Sequence, residues 1–341
     1  MSELERYSRQ ILLPEVGREG QKKLLSSAVA VIGCGALGTV IASGLVRAGV
    51  GRIKIVDRDY IELNNLQRQI LFNEEDIARG LPKAIAAAEK LRKVNSQVDI
   101  EPIVADVNPG NVEEIIAGAD LVLDGTDNFE TRFLINDACV KHGIPWVYGA
   151  VIATHGMTMA IVPHRTPCFR CFLAEMPVPG STPTCDTVGV LGPAVNIVAS
   201  LEVIEGLKLL MGKEEELHSR LIYVDAWAST LERMELEKRD KPCLACDLGQ
   251  FEFLEAQQGS YLTSLCGREA VQVNVRGEVK VFFPNLAERL NSVGSVTFNN
   301  YMLRFQVDSY ELTVFLDGRT IIKGTTDEAL AKTLYAKYIG L

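Results

Sequence analysis

Gly33-Cys34-Gly35-Ala36-Leu37-Gly38 decides the fold. The apolar run Ala28–Ile32 before it reads as a strand, and Leu37–Ala48 after it reads as a helix closed by Gly49. Between a strand and a helix each glycine has its own task. The first permits a tight turn, the second lets a phosphate approach the backbone, and the third lets helix pack on strand. The helix N-terminus then favours an anion. Asp57 lies 19 residues beyond Gly38, at the end of the next strand, Ile53–Val56. A carboxylate there accepts hydrogen bonds from ribose hydroxyls. The motif does not say which nucleotide binds.

Outward from this unit the alternation continues. Pro82 opens a helix running through Lys93; Ile100–Val104, Leu121–Asp124 and Trp146–Val151 read as strands, with helical patterns at Val112–Ala117 and Phe129–His142 between them. Such alternation predicts an α/β fold, a doubly wound, Rossmann-like, mostly parallel sheet. Met157–Val162 and the pair Leu221–Asp225 and Leu231–Glu237, flanking Trp227, extend it as antiparallel strands. Pro163–Gly192 has no clear period, and Pro193–Met211 reads as a long helix followed by Gly212. Residues 251–341 alternate as strands at Val271–Val275, Val296–Phe298, Met302–Val307, Glu311–Phe315 and Thr320–Ile322, with helices at Asn285–Leu290 and Asp327–Tyr338. The expectation is two domains, 1–250 and 251–341, the second a small α+β domain with a curved antiparallel sheet.

Composition narrows the function. The 341 residues hold 35 Lys plus Arg against 44 Asp plus Glu, a net charge of -9, which excludes a whole-surface nucleic-acid binder. The start, Met1-Ser2-Glu3-Leu4-Glu5-Arg6, lacks the basic-then-apolar layout of a signal peptide. The most apolar long stretch, Val188–Ile204, is interrupted by Pro193 and Asn196 and is short for a membrane span. These features predict a cytoplasmic protein with no membrane partner. In that compartment clustered cysteines bind metal or do chemistry. Cys168-Phe169-Arg170-Cys171 and Cys243-Leu244-Ala245-Cys246 form two knuckles, and four thiolates so paired satisfy a tetrahedral Zn²⁺ with no open position. Cys34, Cys139 and Cys266 take a structural reading. Cys185, in Pro183-Thr184-Cys185-Asp186-Thr187, is either a nucleophile or a small buried thiol.

Asp57–Gln69 packs acids, amides and arginines into one connector, and Lys83 follows just inside the next helix. Arg68 and Lys83 together can neutralise a triphosphate at the sheet edge. Asp124-Gly125-Thr126-Asp127-Asn128 ends the fourth strand. A carboxylate there can hold Mg²⁺; alternatively Asp127 caps the helix starting at Phe129.

Over residues 5–250 these pieces resemble the ThiF/MoeB/HesA adenylyltransferases, relatives of ubiquitin-activating enzymes. The matching text is Arg6-Tyr7-Ser8-Arg9-Gln10-Ile11, Gly33–Gly38, Asn65-Leu66-Gln67-Arg68-Gln69, Gly80-Leu81-Pro82-Lys83, Asp124–Asn128, both knuckles, and Thr184-Cys185 with Gly189-Val190-Leu191-Gly192-Pro193. The tail, with Leu265-Cys266-Gly267-Arg268 and Asp317–Gly324, resembles the extension of ThiF-type thiazole-synthesis proteins. The resemblance implies ATP-dependent adenylation of the Gly-Gly end of a ubiquitin-like sulfur carrier, ThiS-like or MoaD-like, and a sulfur-donor protein as a further partner. It implies that Gly33, Gly35 and Gly38 cradle ATP and Asp57 holds the ribose. Asn65, Arg68 and Lys83 would face the phosphates, Asp127 would bind Mg²⁺, and Arg9 would reach the ATP of the partner subunit in a homodimer. Cys185 falls where the family places a cysteine of acyl or persulfide chemistry. Two other classes compete: an NAD-dependent oxidoreductase, which Gly33–Gly38 and Asp57 would serve equally well, and a non-catalytic module that binds a ubiquitin-like partner.

Overall fold

A computed structural model describes residues 4–178, 183–218, 221–236, 241–255, 262–265, 269–274 and 280–340. Glu237, Val275 and the segment Cys266-Gly267-Arg268, all named above, lie outside the described residues. The chain divides into two compact units, Met1–Thr182 with Val190–Gln258, and Pro183–Gly189 with Gly259–Leu341.

The first unit is built on eight strands: β1 (Ala28–Ile32), β2 (Arg52–Asp57), β3 (Asp99–Val104), β4 (Leu121–Asp124), β5 (Trp146–Ile152), β6 (His155–Ile161), β7 (Leu221–Asp225) and β8 (Thr230–Met234). They run in the order β3-β2-β1-β4-β5-β6-β7-β8. The first five are parallel and the last three pair antiparallel. β1 and β4 are apolar on both faces because helices cover both. Leu121 and Leu123 meet Gly206 of the long helix Gly192–Leu210. Val122, pointing the other way, joins Trp146, Phe133 and Phe169 in the opposite core layer. Chain direction reverses its lateral progress between β1 and β4, and in open α/β sheets a ligand crevice lies outside the carboxyl ends of the strands at that switch point.

The second unit carries a six-stranded antiparallel sheet, β11-β12-β13-β14-β10-β9, with β9 (Leu262–Leu265), β10 (Ala270–Val273), β11 (Ser295–Phe298), β12 (Met302–Val307), β13 (Tyr310–Phe315) and β14 (Thr320–Lys323). Helices Phe283–Leu290 and Glu328–Tyr338 pack on it around Phe305, Leu312, Val314, Leu286 and Tyr335. β9 was not anticipated.

Three local readings change. The helix after the connector is Lys83–Val94, with Pro82 extended as its N-cap (φ -60, ψ 145). Lys83 is therefore its first residue. Among its described residues the aperiodic stretch 163–192 holds two single helical turns, Phe169–Phe172 and Cys185–Val188, too short for sequence periodicity. An extra helix, Gly17–Ser26, was missed because its buried face is Gly20, Gln21 and Leu24. A buried glutamine hides that face from a search for apolar spacing, yet its amide donates to Ala48 O at 2.9 Å.

Candidate active site

The floor of the crevice is a contact among three glycine backbones. Gly33 takes φ +90, and a Cβ there would lie 2.5 Å from Gly125 O. A Cβ on Gly38 would lie 1.9 Å from Gly33 O, and one on Gly125 would lie 2.4 Å from the same oxygen. Gly35 differs: only the Gln69 amide nitrogen, at 3.8 Å, lies near its missing side chain. That open space is where an anion can approach the backbone at the start of helix Ala36–Ala48.

Asp57, half-buried, ties this loop to the connector. Its Oδ2 accepts from Cys34 N and its Oδ1 from Asp59 N, each at 2.7 Å. Burial pushes its carboxyl up, while Lys83 and these two N–H donors pull it down. A carboxylate has about four lone-pair positions, so two remain for a ligand's hydroxyls. Burial, with Asp57 adding to it, pushes the Cys34 thiol up, which suits the structural reading of that cysteine.

Lys83 is buried, with Nζ 3.2 Å from Asp59 Oδ2. Asn65, also buried, accepts from Glu62 N at 3.1 Å and donates to Asn64 Oδ1 at 2.9 Å, which closes the turn Leu63–Asn65. Arg68 Nη1 donates to Asn64 O at 2.8 Å. The Gln67–Arg68 backbone abuts Gly192, where a Cβ would lie 2.9 Å from Gln67 O. The positive end of a 19-residue helix therefore meets the arginine.

Asp127 is exposed, and it is not the helix cap. Asn128 is: its Oδ1 accepts from Thr131 N at 2.9 Å. Asn immediately before the first helical residue was the signal that could have assigned the cap from sequence. The loop carrying Asp127 is clamped by Arg132, which places Nε 3.1 Å from Asp124 Oδ2 and donates from Nη2 to Thr126 O at 2.7 Å and Gly149 O at 3.1 Å.

Sequence reasoning gave no role to several residues of this crevice. Gln69 is buried beside Gly35, its amide oxygen unpartnered among the described residues. Arg58 bonds Asp106 at 3.0 Å; burial opposes its charge, but Asp106, Asp59 and Asp127 together keep its pKa above the ordinary value. Asp106 is 48 residues away, beyond any local pattern.

Arg9 is not brought to this crevice by its own chain, and Cys185 belongs to the other unit. Arg9 is exposed, without a polar partner among the described residues. Its neighbours dock at the far end of helix Ala36–Ala48: Tyr7 fills the space beside Gly49, and Gln10 donates to Ala48 O at 3.0 Å. Arg9 is thus a helix length, about 20 Å, from its own glycine loop. Cys185, half-buried, stands on its helical turn in the second unit.

The two knuckles do converge. Sγ–Sγ separations are 3.8 Å (Cys168–Cys171), 3.5 Å (Cys168–Cys243) and 3.4 Å (Cys171–Cys246), and all four sulfurs lie within 4.8 Å of one another. Disulfides need about 2.05 Å. A tetrahedron with metal–sulfur bonds of about 2.3 Å has edges of about 3.8 Å. The cluster could hold a metal. It is riveted to helix Phe129–His142, where Phe169 N donates to Asn136 Oδ1 at 2.9 Å and Phe253 N to Asp137 Oδ2 at 3.1 Å. Burial pushes the Asp137 carboxyl up to about 6.

The ThiF family model matches residues 7–245. The chain belongs to the ThiF family. It is 43% identical to the sulfur carrier protein ThiS adenylyltransferase of Bacillus subtilis (strain 168), over 98% of this chain and 99% of that one. It is 40% identical to the sulfur carrier protein adenylyltransferase of Thermus thermophilus, over 72% of this chain and 91% of the relative. Among solved structures, E. coli MccB bound to MccA-N7isoASN aligns with a TM-score of 0.60 at 22% identity, covering 71% of this chain and 75% of that one. That likeness is one of fold.

Two predictions follow from the loop geometry. Gly38→Ala should cost about 3 kcal/mol, read as a fall in melting temperature, because its Cβ has no room. Gly35→Ala should melt like the parent and lose nucleotide affinity; equal melting of both variants would contradict the division of labour. Asn128→Ala should cost about 1 kcal/mol by removing the cap. Asp127→Ala should stay within about 0.5 kcal/mol of the parent, and an unfolding penalty at Asp127 instead of Asn128 would reverse the assignment.

Proposed function

We propose that this chain adenylates the C-terminal Gly-Gly carboxylate of a ubiquitin-like sulfur carrier, ThiS-like, for thiazole synthesis. The observation that carries this is one crevice holding an open glycine loop, a ribose-ready carboxylate, buried amide and cationic side chains, and a carboxylate freed from capping. In the proposed step the carrier's terminal carboxylate oxygen bonds to the α-phosphorus of ATP and pyrophosphate leaves. Two anions must meet, so the site has to offset their repulsion. Asp57 would orient the ribose with its two remaining lone-pair positions. Lys83 would exchange Asp59 for phosphate oxygens, with Asn65 and Arg68 beside it and two helix N-termini aimed the same way. Asp127 suits a Mg²⁺ that keeps most of its waters, since it is exposed and unengaged by the helix end. Such an ion, when bound, would neutralise phosphate charge.

Arg9 lies too far from its own loop to serve it, which favours a homodimer in which each Arg9 completes the partner's site. Similarity to the Bacillus enzyme reaches through the second unit, which favours a ThiS-like over a MoaD-like carrier. Cys185 would either attack the acyl adenylate, forming a thioester and releasing AMP, or receive sulfane sulfur from a donor protein's persulfide, whose thiol leaves. The four thiolates suit a structural Zn²⁺ in the reducing cytoplasm. An NAD-dependent reading leaves the Asn65–Lys83 cations and the thiolate cluster without a purpose. A purely binding module leaves the buried Lys83 without one.

ATP–pyrophosphate exchange with a ThiS-like carrier tests the reading. Asp127→Ala and Arg9→Ala should each abolish exchange. Mixing the two should restore about a quarter of parental activity, because half the dimers are mixed and each has one intact site. No recovery on mixing would place Arg9 outside a shared site, and exchange without any carrier would remove the carrier from the reaction. Cys243→Ser should lose zinc and melt lower; full zinc content in that variant would contradict the four-thiolate site.

A further inference from the structure

Glu202 lies mid-way along the Gly192–Leu210 helix with no exposed surface, and neither carboxyl oxygen has a partner among the described residues. Its Oε1 is 2.0 Å from where a Cβ on Gly149 would sit, so β5 must have glycine at that position. Gly149 pairs with Thr158 on β6, and the Thr158 hydroxyl is likewise buried and unpartnered. Opposed residues of an antiparallel pair point to the same face, with Cβ positions about 5 Å apart. Thr158 therefore turns towards the helix that brings Glu202. Three orphan oxygens are thus buried on the face between this helix and two strands.

An ionised carboxylate there would have no hydrogen-bond partner among the described residues. A neutral acid brings its own donor, which Thr158 Oγ1 can accept through one buried water. The charged or titratable groups that act on Glu202 electrostatically are Asp124 at the end of β4, Arg132 from helix Phe129–His142, and Tyr148 on β5. Arg47, the charged residue of the adjacent helix Ala36–Ala48, is turned to Ser43 at the surface, and Asp225 of β7 pairs with His155. Burial, reinforced by Asp124 and opposed by Arg132, holds the Glu202 carboxyl well above the usual carboxylate range.

The clamp on the Asp127 loop shares these groups. Arg132 donates to Gly149 O, on the residue Glu202 leans against, as well as to Asp124 and Thr126. An anionic Glu202 would compete with Asp124 for Arg132 and repel Asp124, loosening Gly125–Asn128. We propose that Glu202, held as a neutral acid against Gly149 and Thr158, is a positioning residue for Asp127, and that loss of its proton sets the alkaline limit of adenylation. The pH limit rests on the adenylation reading above.

The test compares pH profiles of exchange for the parent and Glu202→Gln at limiting Mg²⁺. Glutamine keeps the shape and a donor but has no proton to lose. Near neutrality the two should exchange alike. On the alkaline side the parent should fall about tenfold per pH unit, with a rising Mg²⁺ requirement. The variant's fall should begin at least about one unit higher, a gain of tenfold or more at the parent's limit. Superimposable alkaline limbs would overturn the proposal. The infrared band of a protonated carboxyl provides a second reading. It should be present in the parent at neutral pH, absent from Glu202→Gln, and should vanish over the pH range where the parent loses exchange. If Glu202→Gln does not fold, the parent's own infrared titration decides, and a band that is missing or titrates elsewhere overturns the proposal. A parent that never exchanges removes the adenylation reading and the pH limit with it, while the neutral acid still stands or falls on the band.

Discussion

Everything in the crevice depends on how closely three backbones approach at Gly33, Gly38 and Gly125. Their contact sets the start of helix Ala36–Ala48 directly on the switch point, with Gly33 N bonded to Val56 O and Gly125 N to Ile32 O. β1, β2 and β4 therefore end at one level, so Asp57 and Asp127 lie at or just beyond the ends of the two strands that flank β1. No side chain could be added at Gly38 without lifting the helix from the strand.

Around that floor the site balances charge by proximity. Asp59 pairs with Lys83, Asp106 with Arg58, and Asp124 with Arg132, while Asp57 is held by two backbone N–H groups. Breaking a buried pair leaves an uncompensated charge, so each cation is held in place until an anion of equal claim arrives. A polyphosphate is such an anion; a neutral ring is not. Asp127 stands outside this pairing scheme among the described residues, exposed where a divalent ion can reach it. Glu202 solves the same problem differently, by giving up its charge.

Much of this was legible in the sequence because its signals are local. The glycine spacing, Asp57 and the strand–helix alternation each sit within one element or its ends, and the two Cys-x-x-Cys knuckles announce themselves by spacing although 75 residues separate them. What was not legible depends on distant backbones meeting. Nothing local to Gly149 signals that Glu202 occupies its missing side chain, and nothing local to Arg132 signals that it bonds to Asp124 of β4 and Gly149 O of β5. Helix Gly17–Ser26 was hidden because its inward contacts are polar. Asp127 was misjudged as a possible cap although its neighbour Asn128 stood in the better position.

The central claim is that the crevice transfers AMP to a protein carboxylate. Mass spectrometry of a ThiS-like carrier incubated with this protein, ATP and Mg²⁺ tests it most directly. The account predicts AMP bound to the carrier's terminal glycine, absent when that glycine is removed or when Asp127→Ala replaces the parent. An unmodified carrier in the presence of bound ATP, or AMP attached at another residue, would contradict it.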